Sequence, residues 1–258
     1  MLKATARGGK RIAQVAMKVL LLVTLALSCA RAVRAQSHPR QNQPLVLDSR
    51  VTLLEMPGEA SPVRRAIDDL ADDFYKVLGT RPKIVTREED AGPLTILIGE
   101  QSKLPAAMQS GALTAAESFS IGVSTGQRKA VVLSGADMRG TIYAVYQFSE
   151  QYLGVDPLYY WTDHEPLRRA RIVIPASSGK TFPAPVFKYR GFFLNDEDLL
   201  TGWAPGEKKD HTGISLEVWN KIYETILRLK GNMVVPGTWI FPNDPQVKLA
   251  SDRGLIVN

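Results

Sequence analysis

The chain has 258 residues, 45% hydrophobic and 22% charged, a balance that excludes intrinsic disorder as a class and suits one large domain or two ordinary ones. Its formal charge of +6 resides in the leader: residues 1–35 hold seven cations (Lys3, Arg7, Lys10, Arg11, Lys18, Arg31, Arg34) and no acid, and their removal takes the charge to −1. That excludes a nucleic-acid partner, which needs Lys and Arg clustered on the folded part. The single cysteine, Cys29, leaves with the same segment and takes with it any disulfide, thiolate nucleophile or Cys-ligated metal.

In chain order, the basic start, the short apolar core Val19–Leu27 and the small residues of Val33-Arg34-Ala35 predict a signal peptide over 1–35, cleaved after Ala35. The core is too short for an ordinary membrane span, and Ala26-Leu27-Ser28 before Cys29 is a poor lipobox. The expectation is a secreted or periplasmic protein with no membrane attachment after cleavage. Residues 36–44 read as a flexible lead-in.

Strands are predicted at Leu45–Leu47, Val51–Glu55, Lys83–Thr86, Leu94–Ile98, Ser118–Val123, Ala130–Ser134 and Ile172–Ile174. A helix spans Pro62–Leu78 with Ser61 as its N-cap and Gly79 as its stop. Another follows Asp137, turns Ile142, Val145, Tyr146 and Leu153 inward, and ends at Gly154. Residues 45–175 thus form an α/β domain with a sheet of about five strands. The Ser-, Gly- and Pro-rich stretch 176–185 is a linker. Beyond it the pattern becomes regular: strand Lys188–Leu194, helix Ser215–Lys230, strand Met233–Val235, helix Pro245–Arg253 and strand Leu255–Val257. Leu216, Trp219, Tyr223, Ile226 and Leu227 give the first of these helices one apolar stripe. Such β-α-β repetition is that of a parallel barrel, but residues 186–258 are only 73 where a (β/α)8 barrel takes roughly 250. The fold class expected is therefore an α/β domain followed by the first strands and helices of an incomplete (β/α)8 barrel.

The stretch from Lys188 to Leu194 runs straight into Asn195-Asp196-Glu197-Asp198, and barrels present their chemistry where strands end. The bland reading is a solvated, turn-forming loop. Glycoside hydrolysis needs two carboxylates about 5–9.5 Å apart. Asp196 and Glu197 are neighbours whose side chains point to opposite faces if the strand geometry persists, so a partner carboxylate must come from elsewhere. Tyr159-Tyr160-Trp161 reads either as a sugar platform or, more simply, as packing between domains. Trp203 and Trp239, on strand-end loops, suit pocket walls, and Trp219 suits the core. Lys230 either attracts a carboxylate substrate or sits at a helix C-terminus, where cations are favoured. His164 and His211 lack a second ligand at metal spacing, so neither a metal nor a cofactor is expected.

Several stretches together resemble glycoside hydrolase family 115, the xylan α-1,2-glucuronidases. They are Ser118-Phe119-Ser120-Ile121, the run from Ser134 to Tyr143, Tyr159-Tyr160-Trp161-Thr162-Asp163, Lys188-Tyr189-Arg190-Gly191 with Asn195-Asp196-Glu197, Thr201-Gly202-Trp203-Ala204, and Leu229-Lys230-Gly231-Asn232. The resemblance implies a hexosaminidase-domain-2-like α/β domain before a catalytic barrel that removes 4-O-methylglucuronic or glucuronic acid from xylan with inversion. It implies substrate contacts at Asn195 and Asp196 and a pocket wall at Trp239. The substrate-binding set expected is therefore Asn195, Asp196, Trp239 and, from its strand-end loop, Trp203, with Glu197 and Lys230 as further candidates. The catalytic acid and base are not assigned. Gly231-Asn232-Met233-Val234-Val235-Pro236 departs from the aromatic-rich version in relatives, so one sugar-stacking ring is replaced by valine. The chain also stops before the His-His-Glu-type segment of relatives. The expectation is a truncated, inactive fragment of a secreted α-glucuronidase-like hydrolase, whose partner is a polysaccharide or oligosaccharide bearing uronic acid. The full-length protein is allowed as a homo-oligomer, and the alternative is a non-catalytic secreted glycan-binding protein.

Overall fold

The structure is a computed structural model that describes residues 43–109, 113–124, 129–194, 198–204, 206–237 and 240–258. In chain order its elements are β1 (Leu45–Leu47), β2 (Val51–Glu55), α1 (Ser61–Leu78), β3 (Lys83–Val85), β4 (Leu94–Glu100), β5 (Phe119–Val123), β6 (Ala130–Gly135), α2 (Met138–Phe148), α3 (Tyr159–Thr162), β7 (Ile172–Ile174), β8 (Lys180–Phe182), β9 (Gly191–Phe193), α4 (Asp198–Thr201), α5 (Leu216–Arg228), β10 (Met233–Val235), α6 (Pro245–Asp252) and β11 (Ile256–Val257). Short 3-10 turns at Glu88–Asp90, Gln101–Lys103 and Ala106–Met108 flank β4, and a π turn at Ser149–Leu153 continues α2.

Side-chain alternation decides how the first sheet packs. Leu53 of β2, Ile96 and Ile98 of β4, and Val131 and Leu133 of β6 join one core with α1 and α2. The intervening Leu54, Leu97 and Val132 join a second, smaller cluster with Ala91 and Leu104. A strand buried on both faces reads as a continuous apolar run, which is why these three were plain in the sequence. The strand order is β3-β2-β4-β6-β5-β8, parallel from β3 through β6 and antiparallel at β5 and β8. The first and last predicted strands of this region, β1 and β7, pair with each other as a separate antiparallel ribbon.

Two expectations are corrected here. The N-cap of α1 is Ala60, not Ser61, and no side chain caps it; Ser61 is the first helical residue, Pro62 follows it in the first turn, and Gly79 closes the helix at φ 77°. The stretch 176–185, expected as a linker, contains β8: Phe119, Ser120 and Ile121 of β5 pair with Phe182, Thr181 and Lys180, and Phe182 stacks on Phe119 at 4.5 Å. A three-residue strand between a glycine and a proline is too short to show a period. With β8 in the sheet, the core continues without a break into α5, β10, α6 and Leu255, and residues 43–258 make one compact unit.

The last elements form a parallel three-stranded layer in the order β11-β10-β9. The register matches Gly191 with Met233 and Phe193 with Val235, and Met233 with Ile256. Helix α5 begins at Ser215, whose hydroxyl accepts the Val218 N–H at 3.1 Å. It buries Val218, Trp219, Ile222, Tyr223, Ile226 and Leu227; Leu216, expected in that stripe, is exposed instead.

The seam between α1, α2 and the α5–α6 pair is ionic as well as apolar. Arg228 donates to Asp73 at 2.8 Å and to Glu224 at 2.8 Å, and Arg253 donates to Asp69 at 2.7 Å. The Tyr146 and Ser149 hydroxyls donate to Asp69 and Asp73, each at 2.6 Å. Burial alone would push the Glu224 carboxyl up, but Arg228, Lys221 and Arg253 outweigh it and hold it at about 2. Asp69 is raised by burial and by Glu224, against Arg253.

Candidate active-site edge

Because β9, β10 and β11 are parallel, their C-terminal ends share one edge. The Leu194 N–H donates to the Val235 carbonyl at 2.9 Å, so the chain leaves β9 and β10 at the same level. Of the predicted site residues, Asn195, Asp196, Glu197 and Trp239 lie outside the described residues. Their flanking residues Leu194, Pro236 and Gly237 all stand at this edge.

Trp203 lies on the loop between α4 and α5. Its ring packs 5.3 Å from Trp161 at 53° and 6.2 Å from Tyr160 at 45°, and its carbonyl accepts the Lys209 ammonium. Tyr160 and Trp161 stand nearly perpendicular to one another, at 89°. Rings so tilted offer no flat stacking platform. Trp161 Nε1 donates to Thr225 of α5 at 2.7 Å, and Tyr159 donates to Glu224 at 3.3 Å. The aromatic run therefore packs α3 onto α5, with Trp203 closing one side.

The same loop carries a group that sequence reasoning passed over. One carboxylate oxygen of Asp210 accepts the N–H groups of Thr212 at 2.8 Å and Ile214 at 3.3 Å, and also the Thr212 hydroxyl. The other accepts Trp219 Nε1 at 3.0 Å. The neighbouring His211 places Nε2 3.4 Å from Asp244 Oδ2, on the loop after β10. The Tyr223 hydroxyl, buried beneath, is raised by burial and by Asp210. The available signal was the Asp-x-Thr-Gly turn at 210–213 immediately before a helix start.

Lys230 is not brought to this edge. It lies between α5 and β10, where the strands begin, at φ 63°. Its ammonium donates to the Arg228 carbonyl at 2.8 Å and sits 3.5 Å from Glu150; burial lowers its pKa against the pull of Glu150. Beside it Arg190 donates to Glu117 at 2.6 Å, and the Asn232 amide donates to Glu117 and to the Lys188 carbonyl at 2.8 and 2.7 Å. The Lys-Tyr-Arg-Gly and Gly-Asn motifs are thus the join between the first sheet and the parallel layer. Among the described residues no three His, Cys, Asp or Glu side chains are grouped to hold a metal, and no helix is long and apolar enough to cross a membrane.

The family model described as "Glycosyl hydrolase family 115" matches residues 183–258, from just after β8 through the whole parallel layer. The chain's resemblance is to glycoside hydrolase family 115. A solved structure of a GH115 4-O-methyl-α-glucuronidase with specificity for decorated arabinogalactans superposes over 83% of the chain, with a TM-score of 0.68 and 26% identity. The chain spans 29% of that protein. The chitobiase of Flavobacterium johnsoniae superposes over 84% of the chain and 32% of its own, with a TM-score of 0.50 and 12% identity. A β-hexosaminidase of Streptomyces plicatus gives a TM-score of 0.50 and 12% identity over 84% of the chain and 42% of its own. At such identity these two speak for the mixed α/β fold alone. No curated protein matches the chain in sequence. The GH115 likeness spans both sides of the expected linker, whereas the family model covers the parallel layer only.

Proposed function

We propose that the chain carries part of a glycoside hydrolase of the α-glucuronidase type, acting on a glycan that bears glucuronic or 4-O-methylglucuronic acid. The observation that carries this is the strand-end register. Phe193 lies opposite Val235, so the segments holding Asn195-Asp196 and Trp239 leave a single edge, inside the stretch matched to the family. We assign the parallel layer to the start of a (β/α)8 barrel. Supporting this, β9 pairs only with β10 among the described residues and Phe192 is 50% exposed. Beside it opens an apolar cleft of about 250 Å³ between Leu158, Trp161, Leu200, Ile222 and Leu229, a flank that suits a further strand and helix. Export through residues 1–35, to the periplasm or the medium, belongs to the same reading.

Asn195 and Asp196 are assigned to bind the uronic acid, and Trp203 to border the pocket. Cleavage of a glycosidic bond needs an acid and a base or nucleophile on either side of it. Both oxygens of Asp210 are taken by its own loop and Trp219, and Asp244 Oδ2 is taken by the Phe241 N–H and His211. Neither is assigned as the partner of Asp196. The 258-residue chain is therefore expected to bind without turnover. Titrating xylotriose that carries 4-O-methylglucuronic acid should give saturable binding, and Asp196→Ala should weaken it about tenfold or more. An arabinogalactan oligosaccharide with the same uronic acid tests whether the backbone sugar matters. Absence of saturation at millimolar ligand would sink the reading, and release of uronic acid by this chain would show that it does hold a carboxylate partner for Asp196.

A further inference from the structure

We propose that His211 and Asp244 are a positioning pair that ties the loop between α4 and α5 to the loop leaving β10, and thereby sets how tightly this edge holds its glycan; the affinity half rests on the function proposed above. Each partner is fixed by its own helix. Asp210, directly before His211, accepts three donors from its turn on Oδ1, and its Oδ2 is held by Trp219 Nε1, an indole wholly buried on α5. Gly213 supplies the left-handed residue of the turn at φ 78°. The backbone that presents His211 is thus anchored to α5.

Asp244 is anchored to α6. A single oxygen, Oδ2, accepts the Phe241 N–H at 2.8 Å and the Gln246 side-chain amide at 3.5 Å, and lies 3.4 Å from His211 Nε2. Gln246 is fully buried in the first turn of α6. The His211 ring centroid sits 6.2 Å from that of Phe241, on the far loop. The contact therefore joins two anchored ends, not two free side chains.

The imidazole is 46% exposed and the carboxylate 15% exposed. A contact this open contributes little to global folding. What it fixes is the spacing between the loop that leads into α5 and the loop that leads into α6. A ligand that touches both loops binds more tightly when that spacing is set beforehand, because less ordering remains to be done on binding.

Hydrogen–deuterium exchange on the whole chain tests the tie without any ligand. In His211→Gln, exchange should quicken at Phe241 and its neighbours on the other loop; in Asp244→Asn it should quicken at Thr212 and Ile214. Each substitution loosening only its own loop would overturn the proposal. Titration with the uronic acid-bearing xylotriose tests the consequence. Each single variant should lose affinity roughly fivefold and the double variant no more than either, since the two side chains act as one, with the thermal midpoint unchanged. Multiplying losses, or none, would overturn it. If the two variants show reciprocal exchange but the wild type shows no saturable binding, the functional reading fails and the affinity half with it, while the tie itself stands on exchange.

Discussion

The parallel layer has two edges made of opposite materials. Where β9 and β10 begin, glycine and buried bonds leave no space: a Cβ on Gly191 would stand 1.8 Å from the Met233 carbonyl oxygen, and one on Gly231 2.6 Å from Ile226. Asn232 and Arg190 are spent there on Glu117. Where the strands end, loops carry half-exposed Trp203 and His211, and a Cβ on Gly202 or Gly206 would meet nothing within 4 Å. The motifs that together resemble one family therefore divide. Ser134-Gly135-Ala136-Asp137, Lys188-Tyr189-Arg190-Gly191 and Gly231-Asn232 build the frame, and the proposed function assigns substrate to the residues that follow Phe193 and Val235.

The sharpest way to break this contrast is a pair of identical substitutions. Gly191→Ala forces the strand apart from Met233 and should leave no cooperatively folded protein, a loss beyond about 5 kcal/mol. Gly202→Ala should stay within about 0.5 kcal/mol of wild type in urea denaturation. Equal effects at both sites would show that the two edges are not built differently.

Next in size is the charged seam at the strand-start end of α5. Arg228→Ala leaves Asp73 and Glu224 buried with weaker partners. Breaking such a pair costs about 3–5 kcal/mol, and because Lys76 and Lys221 still lie 3.3 and 2.9 Å away, the lower end of that range is expected. The seam also carries a pH signature. The folded Glu224 carboxyl is held at about 2 against an ordinary 4.5, so its contribution is complete above about pH 4.5 and fades as pH falls toward 2. That contribution is at most about 3 kcal/mol, and Asp69, whose folded pKa is raised, works in the opposite sense. Denaturation of Glu224→Gln across this window should show a flatter acid limb than wild type; an unchanged slope would remove Glu224 from the account.

This seam was the least legible part of the sequence. Helical spacing identified Trp219, Tyr223, Ile226 and Leu227 as a buried stripe, and it did so because apolar residues declare their own burial. Glu224 and Arg228 lie one turn apart on the same helix, and a charged pair at that spacing carries no local mark of burial. Their burial depends on Asp73, 155 positions away from Arg228, and no local pattern reveals such a partner. The candidate site divides the same way. Asn195-Asp196 stood out because polar residues followed an apolar strand, whereas His211 gains its meaning from Asp244 on another loop.

Lys230 gives the smallest and most discriminating effect. Sequence alone left it two roles, attracting a carboxylate substrate or settling a helix C-terminus, and its ammonium is placed on the last carbonyl of α5 and near Glu150, away from the edge where the strands end. Lys230→Met should therefore cost less than about 1 kcal/mol, the size of a helix-end or exposed ion-pair contribution. It should change affinity for the uronic acid-bearing oligosaccharide less than twofold, within the same titration in which Asp196→Ala loses about tenfold. Comparable losses from the two substitutions would mean that the ligand reaches the strand-start edge, and the division of labour between the edges would have to be redrawn around Lys230.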